Sequence, residues 1–468
     1  MMEFKKSQFN DWYNEVIELS KLADKRYPVK GMDIWMPYGL AIMQNIDSYY
    51  RLVFNDYGHQ ELNFPLLIPK DQFDKEEEHI KGFTKQVFWV ERAGDDRLDI
   101  PLILRPTSET AMYHMFSLWI RTHADLPLKY YQIVNVFRYE TKQTRTFMRV
   151  REIHFFEAHT AHKDFKDSEK QIEEDLEIWK KICTKLAIPY IINKRPDWDK
   201  FPGAFYSLGA DTIMPNGRAL QIGTIHQYSD NFAKAYDIKY NNEKGVQEYV
   251  SQTTFGISER ILGAIVGIHG DDHGLILPPE IAPIQIIIIP IISDDKENVI
   301  KESKKLYNRL KKRYNVNIDL REDYTPGFKF YDWELKGVPL RIEIGPRDIK
   351  NNEVICVRRD TYEKIRVKKE DLTARIKELL KDIQSNLYVK AKKQVESLVL
   401  ETDDLQVLKE QEKMFKVSWC GREECGNKIA EFSDKSVLGV PIEEKNKKGK
   451  CIICGAETEI KAYVGKTY

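Results

Sequence analysis

The sequence predicts an α+β protein built as three successive blocks. Strand-like runs at 130–138 and 149–157 flank an arginine-rich connection as the arms of a hairpin would, and helical segments separate them from further strands. From about residue 283, short apolar strands alternate with a lysine-rich helix, which is typical of a small α/β domain. Four of the six cysteines then lie in the last fifty residues. These patterns predict domains at 1–282, 283–385 and 386–468.

Hydrophobic periodicity assigns the elements of the first block in order. Helical spacing marks residues 1–24 and 107–123, whereas residues 50–70 alternate toward a strand that ends in NFPLLIP. Residues 164–186 form an amphipathic helix with acids first and lysines last, which matches the helix dipole. The remaining elements are strands at 212–224 and 248–256, then a glycine-rich apolar helix at about 257–269.

The later blocks follow the same reasoning. IQIIIIPI, VNIDL, RIEIG and EVICVRR are predicted strands, with a lysine-rich helix at 296–313 between the first two. From about residue 366, a long charged helical stretch leads to the cysteine-bearing segment.

Composition excludes several classes of protein. The 468 residues include 73 Lys+Arg and 73 Asp+Glu, so a polyanionic partner must meet local basic patches rather than bulk charge. The longest apolar run, 281–292, contains two prolines and a glutamine, and predicts a buried strand rather than a membrane span. The first residues lack the apolar run of a signal peptide. We therefore expect a reduced, cytoplasmic protein with no membrane contact.

The clustered cysteines have the spacing of a zinc site. Cys420-x4-Cys425 and Cys451-x2-Cys454 are 25 residues apart, and glycines beside each pair allow the tight turns of a thiolate clip. The alternatives are four incidental thiols or disulfides. A structural Zn²⁺ is the favoured interpretation, and Cys183 and Cys356 are predicted to be core residues.

The arginine-rich stretch FRYETKQTRTFMRVRE (137–152) holds four arginines and one lysine. On a strand, Arg138 and Glu140 project to the same face, either as a simple ion pair or as two groups for one ligand. An arginine suits a phosphate, and a carboxylate suits an exocyclic amine. Farther along, Arg260 opens a helix after Gly256 in TTFGISERILG. Each arginine alone is more often a solvated side chain.

Together these segments resemble the class II aminoacyl-tRNA synthetases. GHQELNFPLLIP (58–69) is similar to motif 1, FRYE through RVREIHFFE to motif 2, and FGISER to motif 3. LRPTSET (104–110), HTAH, QIGTIH, GDDHGLILPP and GVPLRIEIGPRD narrow the resemblance to the prolyl-tRNA synthetase family. The cysteine-bearing C-terminal segment resembles that of the archaeal–eukaryotic form. Nearly the whole chain is covered.

The resemblance implies a fold and an activity. The fold is a class II antiparallel-sheet catalytic domain, an α/β anticodon-binding domain and a zinc-binding α+β domain. The activity is formation of prolyl-adenylate from L-proline, ATP and Mg²⁺, followed by transfer to tRNA(Pro), without an editing domain in the same chain. Motif 1 implies a homodimer, with Pro65 at its interface.

The resemblance also implies roles for individual residues. Arg138 and Arg260 would be catalytic, and Ile153 stands where the family usually has a phenylalanine that stacks on adenine. Nucleotide contacts would come from Arg138, Glu140, Arg149, Val150, Gln221, Thr224, Ser258 and Arg260. Proline contacts would come from Thr107, Glu109, Arg138, Phe83, Phe155, His159 and His226. Glu343, Arg347 and Lys329 would read the anticodon.

Several of these assignments have alternatives. TSET can cap a helix, His159 and His226 can be core histidines, and the three anticodon candidates can be surface charge. A sister synthetase for threonine, serine or glycine is a rival enzyme, although threonyl-type sites use a Cys/His zinc site in the catalytic domain. A non-catalytic paralogue that binds tRNA or a protein partner is the rival from another class, although such relatives usually lose a motif 2 or 3 arginine.

Overall fold

The computed structural model describes residues 2–75, 85–292, 295–443 and 448–468. Its helices are α1 Phe9–Leu19, α2 Pro37–Asp56, α3 Lys70–Phe73, α4 Glu109–Trp119, α5 Phe165–Lys185, α6 Asn231–Tyr236, α7 Arg260–His269, α8 Lys296–Leu310, α9 Pro326–Leu335, α10 Pro346–Lys350, α11 Leu372–Ser397, α12 Leu405–Glu410 and α13 Glu423–Ser433.

The strands of the first region precede residue 260. They are β1 Ala23–Asp24, β2 Ile34–Trp35, β3 Gln60–Glu61, β4 Leu67–Pro69, β5 Phe88–Ala93, β6 Asp96–Leu104, β7 Leu128–Phe137, β8 Glu152–His162, β9 Ile191–Lys194, β10 Tyr206–Ile213, β11 Ala219–Ser229, β12 Lys239–Asn241, β13 Gln247–Tyr249 and β14 Ser251–Ser258.

The remaining strands form the two later regions. They are β15 Ile286–Pro290, β16 Val316–Ile318, β17 Leu340–Ile344, β18 Glu353–Arg358, β19 Lys364–Lys368, β20 Val399–Glu401, β21 Met414–Ser418, β22 Ser436–Pro441, β23 Gly449–Lys450, β24 Glu457–Thr458 and β25 Lys461–Gly465.

One sheet of eleven strands organises the molecule, in the order β20-β21-β25-β22-β9-β10-β11-β14-β8-β7-β3. Its neighbours are antiparallel, except that β3 pairs in parallel with β7 and β20 with β21. The predicted antiparallel sheet is confirmed. The sheet also crosses the predicted domains, because Val440 and Pro441 of β22 pair with Lys194 and Asn193 of β9.

Helices α1, α2, α5 and α7 contribute to the core that supports this sheet. Trp179 of α5 is fully buried, and a Cβ at Gly223 of β11 would lie only 2.5 Å from its ring. Glycine at that position therefore lets the helix lie directly on the strand. The predicted core residue Cys183 is also fully buried on α5.

Two predicted elements were wrong. Residues 50–70 are not one strand, because α2 continues to Asp56 and only the short strands β3 and β4 follow. Helix α2 buries a continuous stripe of apolar side chains, and Pro37 at its first turn is a helix-start signal. Residues 212–224 are not one strand either, since a turn at Gly217, with a φ of 79°, separates β10 from β11.

The second region is a five-stranded sheet in the order β16-β15-β17-β18-β19. The first three strands are parallel, and the last two are antiparallel additions. Cys356 is fully buried in it, as predicted. Arg359 ties this region to the first one through two hydrogen bonds to the Asp271 carboxylate, at 2.7 and 2.8 Å. Within the described residues, no helix has the length and apolar content needed to cross a membrane.

Candidate active site

A cavity of about 480 Å³ opens on the central strands of the large sheet. Strand register brings its floor together in two rows. Glu157 of β8 lies opposite Gly256 of β14, which lies opposite Thr224 of β11. In the next row, His159, Thr254 and His226 are paired in the same way. Residues that lie far apart in sequence, such as Glu157 and Gly256, thus form one surface.

Most of the predicted site residues line this cavity. They are Thr107, Glu109, Arg138, Glu140, Arg149, Val150, Ile153, Phe155, Gln221, Thr224, His226, Ser258 and Arg260. His159 is fully buried beneath it, and Phe83 lies outside the described residues.

The arginines are held in place by main-chain oxygens. Arg138 lies just beyond the end of β7, and its Nε donates to the Pro106 carbonyl at 3.0 Å. Arg260, the first residue of α7, donates from Nε to the Met148 carbonyl at 2.7 Å. Burial, reinforced by the positive charges of Arg149 and Arg138, lowers the pKa of Arg260 to about 10. Such a site favours a bound anion, which would relieve the repulsion.

Glu140 and Arg149 form a neighbouring pair, with Glu140 Oε2 3.0 Å from Arg149 Nη1. Arg149 precedes β8 rather than lying on it, and it also donates to the main-chain oxygen of Tyr468. The Tyr468 hydroxyl donates to Asn216 at 3.0 Å. Tyr468 therefore packs against the side of the cavity that holds Glu140 and Arg149.

Thr107 and Glu109 form a buried hydrogen-bonded pair. Thr107 Oγ1 donates to Glu109 Oε2 at 2.6 Å, and the Tyr228 hydroxyl donates to Glu109 Oε1 at 2.8 Å. Helix α4 does begin at Glu109, but no side chain caps its first turn. The capping interpretation of TSET is therefore wrong. Because Thr107 gives its proton to Glu109, its oxygen lone pairs remain available to accept from a ligand N–H.

Glu157 lies beneath this pair and was not predicted. Its carboxylate accepts from the Ser108 hydroxyl and main-chain N–H, from Gln132 Nε2 at 2.9 Å and from His159 Nε2 at 3.2 Å. Burial alone would raise its pKa, but the bonds from His159, Ser108 and Gln132 hold it below the usual value. The available sequence signal was one carboxylate among the apolar residues of FFEAH in a strand-like segment.

Aromatic rings wall the cavity beside the Thr107–Glu109 pair. A Cβ at Gly256 would lie 2.9 Å from the Phe155 ring, so glycine there makes room for that side chain. The His226 ring is 4.6 Å from that of Phe201, and its Nδ1 lies 2.8 Å from the Ser207 hydroxyl. Burial lowers the pKa of His226 to about 3, so the ring is neutral and the wall uncharged.

The four clustered cysteines converge as their spacing predicts. The sulfur atoms of the four residues lie within 4.8 Å of one another, and all four are free thiols: Cys420, Cys425, Cys451 and Cys454. The disulfide alternative is therefore wrong. Tetrahedral zinc with Zn–S bonds of about 2.3 Å needs sulfurs about 3.8 Å apart. The Cys420 and Cys454 sulfurs are 3.9 Å apart, which fits that geometry.

The anticodon candidates differ in exposure. Arg347 is exposed on α10, whereas Glu343 and Lys329 are only 6% and 3% exposed. Glu343 Oε1 accepts from Arg341 Nε at 3.0 Å, and Lys329 Nζ lies 4.0 Å from Asp319 Oδ1. The interpretation as surface charge is therefore wrong for Glu343 and Lys329.

Comparison with known proteins shows which family the chain resembles. The model for the tRNA synthetase class II core domain (G, H, P, S and T) matches residues 88–269. The anticodon binding domain matches 285–379, and the prolyl-tRNA synthetase C-terminal model matches 402–468. The proline--tRNA ligases of Pyrococcus abyssi and Pyrococcus horikoshii are 53% and 54% identical, each over 98% of both chains.

The chain belongs to the prolyl-tRNA synthetase family. Two solved structures of the family match it along its length. Giardia lamblia prolyl-tRNA synthetase in complex with prolyl-adenylate is 33% identical, with a TM-score of 0.96 over 99% of both chains. The Cryptosporidium parvum enzyme, complexed with halofuginone and AMPPNP, is 34% identical, with a TM-score of 0.95 over 100% of this chain and 99% of that one. The class II fold is therefore confirmed.

Proposed function

We propose that the chain activates L-proline with ATP and transfers the prolyl group to tRNA(Pro). The observation that carries this proposal is the buried cavity in which Arg138, Arg149 and Arg260 converge beside the Thr107–Glu109 pair. The motif 2 and motif 3 arginines are all retained, so nothing supports the non-catalytic alternative. No clustered metal ligands other than the four cysteines occur in the described residues, which argues against a threonyl-type zinc pocket.

The amino-acid half of the cavity matches a secondary ammonium group, which has two N–H donors. One would go to Thr107 Oγ1, whose own proton is already given to Glu109. The other would go to the Glu109 carboxylate, which is positioned by Tyr228. Phe155 and neutral His226 would contact the ring, and Glu157 and His159 would support the floor.

The nucleotide half would bind ATP. Glu140 and Arg149 would contact the base and phosphates, and Ile153 would cover adenine by dispersion. Further contacts would come from Val150, Gln221, Thr224 and Ser258. The proline carboxylate attacks the α-phosphorus, a new C–O–P bond forms, and pyrophosphate leaves. No general base is needed, because the nucleophile is already ionised. Arg138 and Arg260 would stabilise the charge that develops on the α-phosphate.

Two metals belong to the proposal. The four cysteines would hold a structural Zn²⁺, and a chelator is expected to lower the melting temperature of the zinc-loaded protein. Mg²⁺, which neutralises phosphate charge when bound, would be held chiefly through ATP and water, since the described carboxylates form no cluster of three.

We also propose a homodimer. Residues of the motif 1 segment, β6 and α4 line an apolar groove of about 580 Å³, including Pro65, Leu67, Ile100 and Trp119. Leu67, Ile100 and Trp119 are 39%, 50% and 41% exposed, which is costly for a free surface. Sedimentation should give twice the chain mass, and Trp119→Glu should give the mass of one chain.

The partners and compartment follow from the same proposal. Arg347, exposed beside the end of β17, would read a guanine of the proline anticodon. Glu343 and Lys329 would take part by exchanging their present ion pairs for contacts with RNA. The free cysteines suit a reducing compartment, so we place the reaction in the cytoplasm.

Exchange of labelled pyrophosphate into ATP, measured with each of the twenty amino acids, tests the activity. Exchange with proline alone is the expected result. Exchange that is highest with threonine, serine or glycine would refute the pocket assignment while sparing the fold. Absence of exchange from folded, zinc-loaded protein would refute the enzyme itself.

A further inference from the structure

Two exposed aromatic rings lie at one edge of the five-stranded sheet and have no part in the function proposed above. Because β15, β16 and β17 are parallel, the loops that follow them meet at the same edge. Tyr324 lies in the loop after β16, and Phe328 lies in the first turn of α9. Their rings are stacked, with centroids 4.5 Å apart and planes 13° apart. We call them the aromatic pair.

The aromatic pair is poorly explained by packing. Tyr324 and Phe328 are 43% and 46% exposed, although apolar surface left in water costs about 25 cal/mol per Å². Among the described residues of 285–379, the other exposed large apolar side chain is Tyr362. Its hydroxyl donates to Asp271 at 2.8 Å, which gives it a structural role between two regions. The aromatic pair is therefore a candidate binding surface.

The surrounding charges indicate the kind of partner. The guanidinium carbon of Arg321 lies 5.0 Å from the centre of the Tyr324 ring, and its side chain is 38% exposed. Arg321 is fixed there by Asp319 and Asp332, which accept from its Nη2 at 2.7 and 2.8 Å. Arg347 is exposed at the start of α10, which follows β17 on the opposite side of β15 from β16. Flat rings beside fixed guanidinium groups are the chemistry that binds single-stranded nucleic acid.

We propose that Tyr324 and Phe328 stack against one unstacked base of the tRNA anticodon loop, with Arg321 contacting the adjoining phosphate. This inference rests on the proposed function, because it takes tRNA as the partner. Stacking is tolerant of base identity, since every base has a π-face. The aromatic pair would therefore hold the loop in place while Arg347 discriminates between bases.

Aminoacylation of a tRNA(Pro) transcript by the full-length chain tests the proposal. The double variant Tyr324→Leu/Phe328→Leu keeps apolar side chains but removes the rings. We expect its KM for tRNA to rise about tenfold, in line with the loss of one stacked base. Its proline-dependent pyrophosphate exchange should equal that of the wild type. Tyr324→Phe, which keeps both rings, is the matched control and should retain the wild-type KM.

Transcripts with one abasic nucleotide in the anticodon loop identify the base that stacks on the aromatic pair. In the wild type, removing the stacked base should raise KM about tenfold, and in the double leucine variant the same removal should have no further effect. An unchanged KM in the double variant would overturn the proposal and leave this surface for a protein partner. If KM of the double variant rose further by the same factor at every abasic loop position, the proposal would be overturned too. Absence of exchange in the wild type would instead refute the proposed function.

Discussion

The active-site cavity and the edge of the five-stranded sheet that carries Arg347 both present arginines to an expected anion, but they do so in opposite ways. Arg260 in the cavity is partly buried, bonded to a main-chain carbonyl and repelled by its neighbours. Arg347 at the edge is exposed to solvent. A charge in a buried site acts through a low dielectric, whereas an exposed charge is screened by water and salt. Burial suits a site that stabilises a transition state, and exposure suits a surface that must adapt to a flexible RNA loop.

The largest expected effect tests the buried side of this contrast. Arg138→Ala should lower proline-dependent pyrophosphate exchange about 100- to 1000-fold, because a fixed donor to the α-phosphate is lost. Arg347→Ala should leave exchange unchanged, and it serves as the matched arginine control. A loss of less than fivefold in Arg138→Ala would contradict a catalytic role for this side chain.

The second prediction separates support of the site from support of the fold. Glu157→Gln should raise the KM for proline about tenfold, because one acceptor that positions Ser108 and His159 becomes a donor. The KM for ATP should stay near its original value. Steady-state exchange measures both constants. Glu152→Gln, on the same strand but less buried, is the control, and a parallel rise in both constants would point to a purely structural role.

The third prediction concerns the exposed side. Arg347→Ala should raise the KM for tRNA about five- to tenfold, because a bidentate contact to guanine is lost. Aminoacylation at increasing salt measures this effect together with screening. Lys350→Ala, on the same helix, should change KM less. If Lys350→Ala and Arg347→Ala were equivalent, the edge would act through bulk charge rather than through base recognition.

The smallest effect is a pH dependence inside the cavity. Burial raises the pKa of Glu259 to about 8, while its carboxylate accepts from the His154 main-chain N–H at 2.6 Å. The folded protein therefore binds more protons than the unfolded chain between about pH 4.5 and pH 8, so this group's stabilising contribution is lost as pH rises through that window. Glu259→Gln keeps an acceptor and cannot ionise.

Thermal melts of the wild type and Glu259→Gln at several pH values check the sign. The melting temperature of the variant should fall less steeply between pH 5 and pH 8, by a few degrees at most. Glu152→Gln again provides the comparison on a neighbouring element. Parallel curves for wild type and Glu259→Gln would show that Glu259 is ionised throughout.

The sequence predicts the residues that line the cavity better than the residues that support them from beneath. Arg138, Glu140 and Arg260 are each a weak signal alone, and the resemblance of their segments to the class II synthetase motifs is what singles them out. Glu157 is not singled out, since its role depends on the register that places it opposite Gln132 and beneath Ser108. Such a role arises from pairing across strands, which periodicity along one strand does not encode.

Some failures had local causes. Residues 50–56 end helix α2, and their mixed polar and aromatic residues also fit strand alternation, although Pro37 marks the start of a helix. The turn signal Pro215-Asn216-Gly217 separates β10 from β11 inside a segment with the apolar content of one strand. Burial of Lys329 depends on Asp319, a partner after β16 that sequence spacing does not specify. Glu343 pairs with Arg341 two residues earlier on β17, but its burial depends on the strands beside it.

The pairing of β22 with β9 has a consequence for how the protein is made. During synthesis the ribosome releases β9 some 240 residues before β22, so the edge of β9 opposite β10 has no strand to pair with until the cysteine-bearing region emerges. A nascent chain is exposed to edge-to-edge association throughout that interval. Chaperone dependence and premature termination should therefore affect this protein more severely than one whose catalytic sheet closes within its first domain.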